Sequence, residues 1–222
     1  MGKVLEMIRA SLLIATVLAL AGCGSDVDET LTARTFQAFG QKVIGNARSN
    51  RPAPLNLTRA RLAGLPPADL ATVVATGAEA VIFEVGQNGD TQTWSSVDDK
   101  TLAIRQGQIV GTRGLRGDLV AAEVPPLSRI ASGDGEHSRV LVTIGEEEKV
   151  RRSRYDCTLS VLGSETVAFV ERSYATRRVQ ETCSGEDGNF TNDYWFQGGT
   201  LRQSRQWMGA DLGHILLSRL RN

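Results

Sequence analysis

The chain has few of the side chains from which most reaction centres are built. Its 222 residues include two histidines, three cysteines and three tryptophans, and aromatic residues make up 5%. The two histidines, His137 and His214, do not fall in a metal-ligand spacing such as H-E-x-x-H. The sequence also has no G-x-S-x-G nucleophile elbow and no glycine-rich phosphate loop. We therefore predict a protein that is not an enzyme and that binds neither a metal nor another cofactor.

An excess of charge of either sign is also missing. The formal net charge is 0, with 25 basic and 25 acidic side chains. Nucleic-acid binding depends on a surplus of lysine and arginine against the phosphates, so we expect no nucleic-acid partner. A local basic cluster contains Lys149, Arg151, Arg152 and Arg154, but three glutamates stand at 146–148. Such a mixed run is typical of a solvated strand end or loop.

The N-terminus contains the only long apolar stretch. It runs from Ala10 to Gly22 and follows a short basic start with Lys3 and Arg9. A membrane-spanning helix needs about 20 consecutive apolar residues, and no basic flank follows this shorter run. The layout is that of an export signal.

The end of this signal resembles a bacterial lipobox. Leu20-Ala21-Gly22-Cys23 matches the pattern in which the cysteine is acylated on sulfur and becomes the first residue of the mature chain. An ordinary signal cleaved after Ala21 and a buried structural Cys23 are the alternatives. Gly24 and Ser25 stand where enterobacterial lipoproteins retained in the inner membrane carry Asp, which implies an outer-membrane protein facing the periplasm. We predict a signal peptide over 1–22, a lipid-anchored tether over 23–30 and a single domain over 31–222.

The remaining two cysteines form a candidate pair. With Cys23 assigned to the lipid, Cys157 and Cys183 remain, and an oxidising periplasm allows them to form a disulfide. Two buried free cysteines are the alternative. We expect the bond to join nonconsecutive strands, because a further strand is predicted over Thr166 to Tyr174, and to bring the Cα atoms to about 4.4 to 6.8 Å.

The mature chain is predicted to be mainly β. Apolar residues at helical spacing indicate a helix from Leu31 to about Ala47, before Pro52 and Pro54. Short β-branched and aromatic runs separated by turn residues follow, which favours an antiparallel sandwich or a barrel-like domain. Gly163-Ser164 and Gly198-Gly199 are candidate hairpin turns. In the second half, strands are predicted near Arg139–Ile144, Tyr155–Leu162, Thr166–Tyr174, Arg178–Cys183, Tyr194–Gln197, Leu201–Trp207 and His214–Leu217.

The predicted C-terminal hairpin offers a candidate glycan-binding face. Period-two alternation from the Gly198-Gly199 turn puts Phe196, Leu201, Tyr194 and Trp207 on one side, which we expect to be core. The other side would carry Trp195, Arg202 and Gln206, with Gln197 and Ser204. Tryptophan has a flat apolar surface on which a sugar ring can stack. The alternative is that Trp195 is covered by the N-terminal helix or by a neighbouring sheet.

A glycan hydrolase is the competing function from another class. It would need two carboxylates at a defined separation across a cleft. Asp98, Asp99, Glu171 and Glu181 are the nominal candidates, but the sequence gives none of them a partner. A lipoprotein that acts only through protein contacts in envelope assembly is a further alternative.

Several stretches together resemble one family. They are the lipobox, Leu57-Thr58-Arg59 before Pro66, Thr93-Trp94-Ser95-Ser96, Gly107 to Thr112 with the following Gly114-Leu115 and Asp118-Leu119, and Tyr194-Trp195 with Ser204 to Trp207. Their order and spacing resemble the YjbF-type, group 4 capsule polysaccharide lipoproteins. The resemblance implies a mainly antiparallel β fold, an outer-membrane lipoprotein from an exopolysaccharide or capsule operon, and no catalytic residues. Its partners would be polysaccharide or secretion proteins of that operon, in addition to the membrane.

Lipid attachment at Cys23 can be tested by one substitution. Cys23→Ser should abolish incorporation of labelled palmitate and release the protein from the membrane fraction, because a hydroxyl cannot form the thioether. Cys157→Ser and Cys183→Ser are matched controls and should keep the label. A Cys23→Ser protein that remains acylated and membrane-bound would contradict the lipobox assignment.

Overall fold

A computed structural model describes residues 53–145 and 148–220 of the chain. The predicted signal over 1–22, the tether over 23–30 and the helix from Leu31 to Ala47 lie outside these residues. Among the described helices, none is both long and apolar enough to cross a membrane. The described elements are two short helices, α1 (Arg59–Leu62) and α2 (Leu127–Ser132), and the strands β1 (Ala68–Val73), β2 (Ala78–Asn88), β3 (Thr91–Ser95), β4 (Thr101–Arg105), β5 (Gln108–Arg113), β6 (Leu119–Glu123), β7 (Glu136–Ile144), β8 (Val150–Phe169), β9 (Arg172–Gly185), β10 (Gly188–Gln197), β11 (Thr200–Trp207) and β12 (His214–Arg219).

The strands form one antiparallel sheet that curls into a nearly closed barrel. Its order is β5-β4-β3-β2-β1-β12-β11-β10-β9-β8-β7-β6. Every strand therefore pairs with its neighbours in sequence, except that β12 returns to pair with β1 and no ladder joins β5 to β6. The prediction of a mainly β, antiparallel, barrel-like domain is confirmed.

The seam between β5 and β6 is bridged by side chains. The backbone N–H of Leu119 donates to Thr112 Oγ1 at 3.0 Å, and that hydroxyl donates to Asp118 Oδ1 at 2.6 Å. Asp118 also accepts from the backbone N–H groups of Gly114 and Leu115, at 2.9 and 3.1 Å. The Asp118 carboxylate therefore closes the turn between these two strands.

Two clusters of buried side chains fill the barrel. The larger is centred on residues that are no more than 2% exposed, namely Ile82, Trp94, Ile109, Leu119, Met208 and Ile215. The second joins Leu159, Val179, Tyr194, Phe196 and Leu201 to Ile130 of α2, which is completely buried. Alternate residues of a strand face opposite sides, and β4 shows this pattern, because Leu102 and Ile104 are buried in the larger cluster while the residues between and beside them are half-buried.

The longest hairpin differs from the sequence-based prediction. β8 continues without a break from Val150 to Phe169 and turns at Val170 and Glu171. The predicted turn at Gly163-Ser164 is wrong, because β8 instead has a β-bulge there, between Val161 and Gly163, and Gly163 takes a φ of 108°. Glycine suits both a tight turn and a bulge, so its presence does not distinguish them.

The true turn is made by two residues that rarely adopt its geometry. Val170 and Glu171 have φ of 45° and 59°, where a β-branched side chain is strained. Arg59 of α1 holds this turn: its Nε donates to the Val170 carbonyl at 2.8 Å, and its backbone N–H donates to Glu171 Oε2 at 2.9 Å. The same guanidinium reaches the Leu220 carbonyl and the Tyr174 hydroxyl. Helix α1 is therefore pinned to the tip of the hairpin.

Cys157 and Cys183 form the expected disulfide, with an S–S distance of 2.05 Å. They stand directly opposite each other on β8 and β9, so the bond joins consecutive strands and not the nonconsecutive strands that we expected. That error follows from the misplaced turn, which split one hairpin into three strands. The Cα atoms are 4.1 Å apart, slightly closer than expected and nearest to the spacing of a non-hydrogen-bonded antiparallel pair.

Removal of the disulfide should destabilise the barrel. The bond spans 26 residues, and the chain-entropy model assigns about 3 to 4 kcal/mol to a loop of this length. Urea unfolding of the Cys157→Ser, Cys183→Ser double variant should show this loss of unfolding free energy. Cys23→Ser is the matched control and should unfold like the wild type. Equal midpoints for the double variant and the wild type would exclude a stabilising bond.

Candidate functional site

The barrel interior contains a buried polar cluster centred on Glu181. Strand alternation points Glu181 inward together with Val179 and Cys183 of β9, although neighbouring inward positions are apolar. Glu181 is completely buried, and Arg139 of β7 is 3% exposed. Buried charges of this kind are found only where they are paired and hydrogen-bonded.

All of the strong acceptor positions of Glu181 are used. Its Oε1 accepts from Arg139 Nε at 2.6 Å and lies 2.5 Å from His137 Nε2. Its Oε2 accepts from Asn192 Nδ2 at 2.6 Å and from the Tyr194 hydroxyl at 3.3 Å. Three strands, β7, β9 and β10, therefore meet at this one carboxylate.

Arg139 extends the cluster to the edge of the sheet. Its Nη2 donates to Tyr194 Oη and to Gln108 Oε1, both at 2.8 Å. Gln108, which is 1% exposed, in turn donates through Nε2 to the Pro125 carbonyl at 2.7 Å. The guanidinium thus connects β7 to β5 across the interior.

The pKa values of this cluster reflect burial opposed by pairing. Burial alone would raise the pKa of Glu181, but the Arg139 charge and the hydrogen bonds from His137, Arg139 and Asn192 outweigh it and lower the pKa to about 2. Burial raises the pKa of Tyr194, so this hydroxyl keeps its proton. Burial would lower the pKa of Arg139, but Tyr194 and Glu181 raise it. Glu181 and Arg139 are therefore a permanently charged pair at neutral pH.

A possible metal-binding group lies beside the pair but lacks a free thiolate. His137, Cys157 and Glu181 have ligand atoms within 4.8 Å of one another. The sulfur of Cys157 is bonded to Cys183, and Arg139 occupies the carboxylate. His137 Nδ1 is buried without a hydrogen-bond partner in the described part of the chain. These residues do not fit a zinc site in the oxidised protein, because zinc takes cysteine as a thiolate.

Gln206, predicted to face a glycan, is instead buried at 2% exposure. It donates through Nε2 to the Gly107 carbonyl and accepts from the backbone N–H of Ile109, each at 3.0 Å. The cause is a β-bulge in β11, where Phe196 pairs with Leu201 but Trp195 pairs with Gln203. A one-residue slip moves every following side chain to the other face.

Trp195 points away from the barrel interior as predicted, but its side chain is only 7% exposed. It packs against Val167 and Tyr174 of the long hairpin. Its Nε1 donates to Glu165 Oε2 at 3.0 Å, and the Arg178 guanidinium lies 5.3 Å from the ring centroid. Trp195 is therefore covered, but by neighbouring strands of the same sheet and not by another sheet as the alternative supposed.

Arg202 is half-buried at the bulge. Its guanidinium lies 5.0 Å from the Tyr174 ring centroid, and its Nε donates to Gln197 Oε1 at 3.0 Å. Trp195, Arg202 and Gln206 therefore do not share one exposed face. The predicted lipidation residue, Cys23, lies outside the described residues.

An open pocket of about 340 Å³ lies next to this region. Most of its residues belong to the outer half of the β8–β9 hairpin, and the others belong to the end of β10 and the turn after it. The lining residues are Ser164, Glu165, Thr166, Ala175, Thr176, Arg177, Phe196 and Gly198. Sequence reasoning missed this pocket because it depends on the continuity of β8 past Gly163.

Comparison with known proteins assigns the chain to a family. The sequence model of the group 4 capsule polysaccharide lipoproteins, GfcB and YjbF, matches residues 29–220. The chain belongs to this family. The match covers all of the described barrel, so the resemblance inferred from short motifs is confirmed.

A solved structure has a similar fold. The barrel is similar to the crystal structure of the hypothetical lipoprotein YmcC from Escherichia coli (K12), with a TM-score of 0.70. The alignment covers 86% of this chain and 94% of YmcC at 18% sequence identity. At this identity the similarity between this GfcB and YjbF family member and YmcC concerns the fold alone. No curated protein sequence matches the chain significantly.

The Glu181 pair should dominate the stability of the barrel and its response to acid. Glu181→Gln leaves Arg139 buried without its counter-charge, so we expect a loss of about 3 to 5 kcal/mol of unfolding free energy at pH 7. Because folding lowers the pKa of Glu181 from its ordinary 4.5 to about 2, the ionised group stabilises the fold above about pH 4.5. That contribution, on the order of 3 kcal/mol, is lost as the pH falls towards 2.

Urea unfolding from pH 7 to pH 2 measures both effects. The matched control is Glu123→Gln, because Glu123 is 69% exposed in its pair with Arg152 and should contribute less than about 1 kcal/mol. A difference between wild type and Glu181→Gln that is small, or that does not shrink with falling pH, would contradict the assignment.

Proposed function

We propose that this lipoprotein has an accessory, non-catalytic role in the assembly or export of an extracellular polysaccharide. It acts from the outer membrane, anchored through Cys23 and facing the periplasm, by binding glycan or a secretion component of the same operon. Membership of the group 4 capsule polysaccharide lipoprotein family over residues 29–220 carries this proposal. The export signal and lipobox support the location.

The placement of three of the four nominal catalytic carboxylates supports a non-catalytic role. Glu181 is completely buried and ion-paired, so it cannot reach a substrate or act as a proton donor. Asp98 pairs with Lys100 in the turn after β3, and Glu171 accepts the backbone N–H of Arg59 at the hairpin tip. These carboxylates lie on separate elements and have structural partners. A glycan hydrolase needs two carboxylates that face one cleft.

A gene deletion in the source bacterium tests this role. Loss of the protein should lower the amount of secreted polysaccharide or change its chain length, and wild-type complementation should restore both. Complementation with Cys23→Ser should fail, because the soluble protein is no longer held at the membrane. Glu123→Gln is the control variant and should complement fully.

Two results would overturn the proposal. Unchanged yield and composition of the polysaccharide after deletion would remove the role itself. Release of reducing sugar ends from the purified polysaccharide by the purified protein would replace it with the hydrolase alternative.

A further inference from the structure

The pocket on the β8–β9 hairpin has a definite structural origin. The pocket follows the β-bulge between Val161 and Gly163, and a bulge bends the strand that carries it. Its concave side is closed by Phe196 at the base and by Gly198 of the β10–β11 turn. Ser164, Thr166 and Ala175 are exposed along the pocket. The result is a concave surface with a small apolar floor and hydroxyl groups on its wall.

Arg177 lies in this pocket without a carboxylate partner among residues 53–145 and 148–220. Its Nη2 donates to the carbonyl of Ala131 in α2, and its guanidinium lies 6.0 Å from the Phe196 ring centroid. These contacts fix the orientation of the side chain but leave its positive charge uncompensated. A fixed guanidinium can form a two-pronged hydrogen bond with a carboxylate.

The one carboxylate that lines the pocket is already engaged. Glu165 Oε2 accepts from Trp195 Nε1 at 3.0 Å and from Arg178 Nη1 at 3.3 Å. Arg178 also pairs with Asp193 at 2.9 Å, and Arg205 lies 3.7 Å from the same carboxylate. Glu165 therefore does not neutralise Arg177.

The charged side chains that line the pocket are Glu165 and Arg177. Glu165 and Asp193 are both paired with Arg178, and Arg205 lies near Asp193, so these pairs leave the Arg177 charge without a carboxylate of its own. A local positive field favours an anionic ligand.

We propose that this pocket binds an acidic sugar residue of a polysaccharide through its carboxylate. Arg177 pairs with the uronate group. The hydroxyls of Ser164 and Thr166 form hydrogen bonds with the ring hydroxyls, and the apolar floor at Phe196 contacts the ring carbons. This inference rests on the proposed polysaccharide role and specifies its ligand class. It also moves the glycan site from the predicted β10–β11 face to the hairpin beside it.

Titration calorimetry with tetragalacturonate, and with maltotetraose as the neutral comparison, tests the site. The wild-type protein should bind the acidic tetramer more tightly by at least tenfold, and the affinity should fall with added salt. Arg177→Gln should lose at least tenfold in affinity for tetragalacturonate. Arg177→Lys should recover part of it, because the charge remains and the fork geometry is lost.

Two further variants separate ligand binding from folding and from total charge. Ser164 stands directly opposite Arg177 in the β8–β9 ladder, so Ser164→Glu places a competing carboxylate beside the guanidinium and should also abolish binding. Arg152→Gln removes one exposed arginine from the same strand, outside the pocket, and should bind as the wild type does. Urea midpoints for all variants show whether each one is folded.

The outcomes distinguish this inference from the broader proposal. The acidic-sugar site is overturned if the wild-type protein does not bind tetragalacturonate. It is also overturned if a folded Arg177→Gln or Ser164→Glu protein binds tetragalacturonate as tightly as the wild type does. If deletion of the gene still lowers polysaccharide yield in that case, the proposed function remains. Binding that depends on Arg177, together with unchanged yield after deletion, keeps the site and removes the proposed function.

Discussion

The charged pair between Glu181 and Arg139 is the constraint around which the barrel is organised. Two opposite charges without access to water must satisfy each other and every remaining hydrogen-bonding position. His137, Asn192 and Tyr194 occupy the remaining hydrogen-bonding positions of the carboxylate. Gln108 accepts a hydrogen bond from the guanidinium. These partners come from β5, β7 and β10, so the pair holds β9 in register with strands that are far apart in sequence. The disulfide at Cys183, two residues from Glu181, adds a covalent constraint at the same level of the barrel.

The barrel interior is filled with packed side chains, and the ligand site that we propose lies on the surface. Among the described residues, the carboxylate, guanidinium and amide groups of the Glu181 cluster have partners inside the barrel, His137 Nδ1 is the exception within that cluster, and the cysteine beside them is oxidised, so the cluster offers a ligand little that is unpaired. The long β8–β9 hairpin extends from this rigid base and is held at its tip by Arg59. Its concave surface carries a fixed arginine whose charge is not neutralised, which is the feature that the proposed acidic-sugar site uses.

Sequence reasoning was most reliable where the pattern was local. The mainly β fold, the cysteine pair and the family follow from short runs, residue counts and motifs, and they are confirmed. Two bulges, at Gly163 and at Arg202, caused the errors in the hairpin turn and in the orientation of Gln206, because a single extra residue reverses the alternation beyond it. The Glu181 network was missed, although a charged residue at the same parity as Val179 and Cys183 was a usable signal.

Amide hydrogen exchange at Ile109 tests most directly whether the interior polar groups hold the open edge of the sheet. The Ile109 N–H donates to Gln206 Oε1 and not to a strand partner, so its protection reports on this interior contact. In Gln206→Leu, exchange at Ile109 should become at least tenfold faster, while exchange at Val179 in the wall should remain unchanged. Equal exchange at Ile109 in the variant and the wild type would contradict the account.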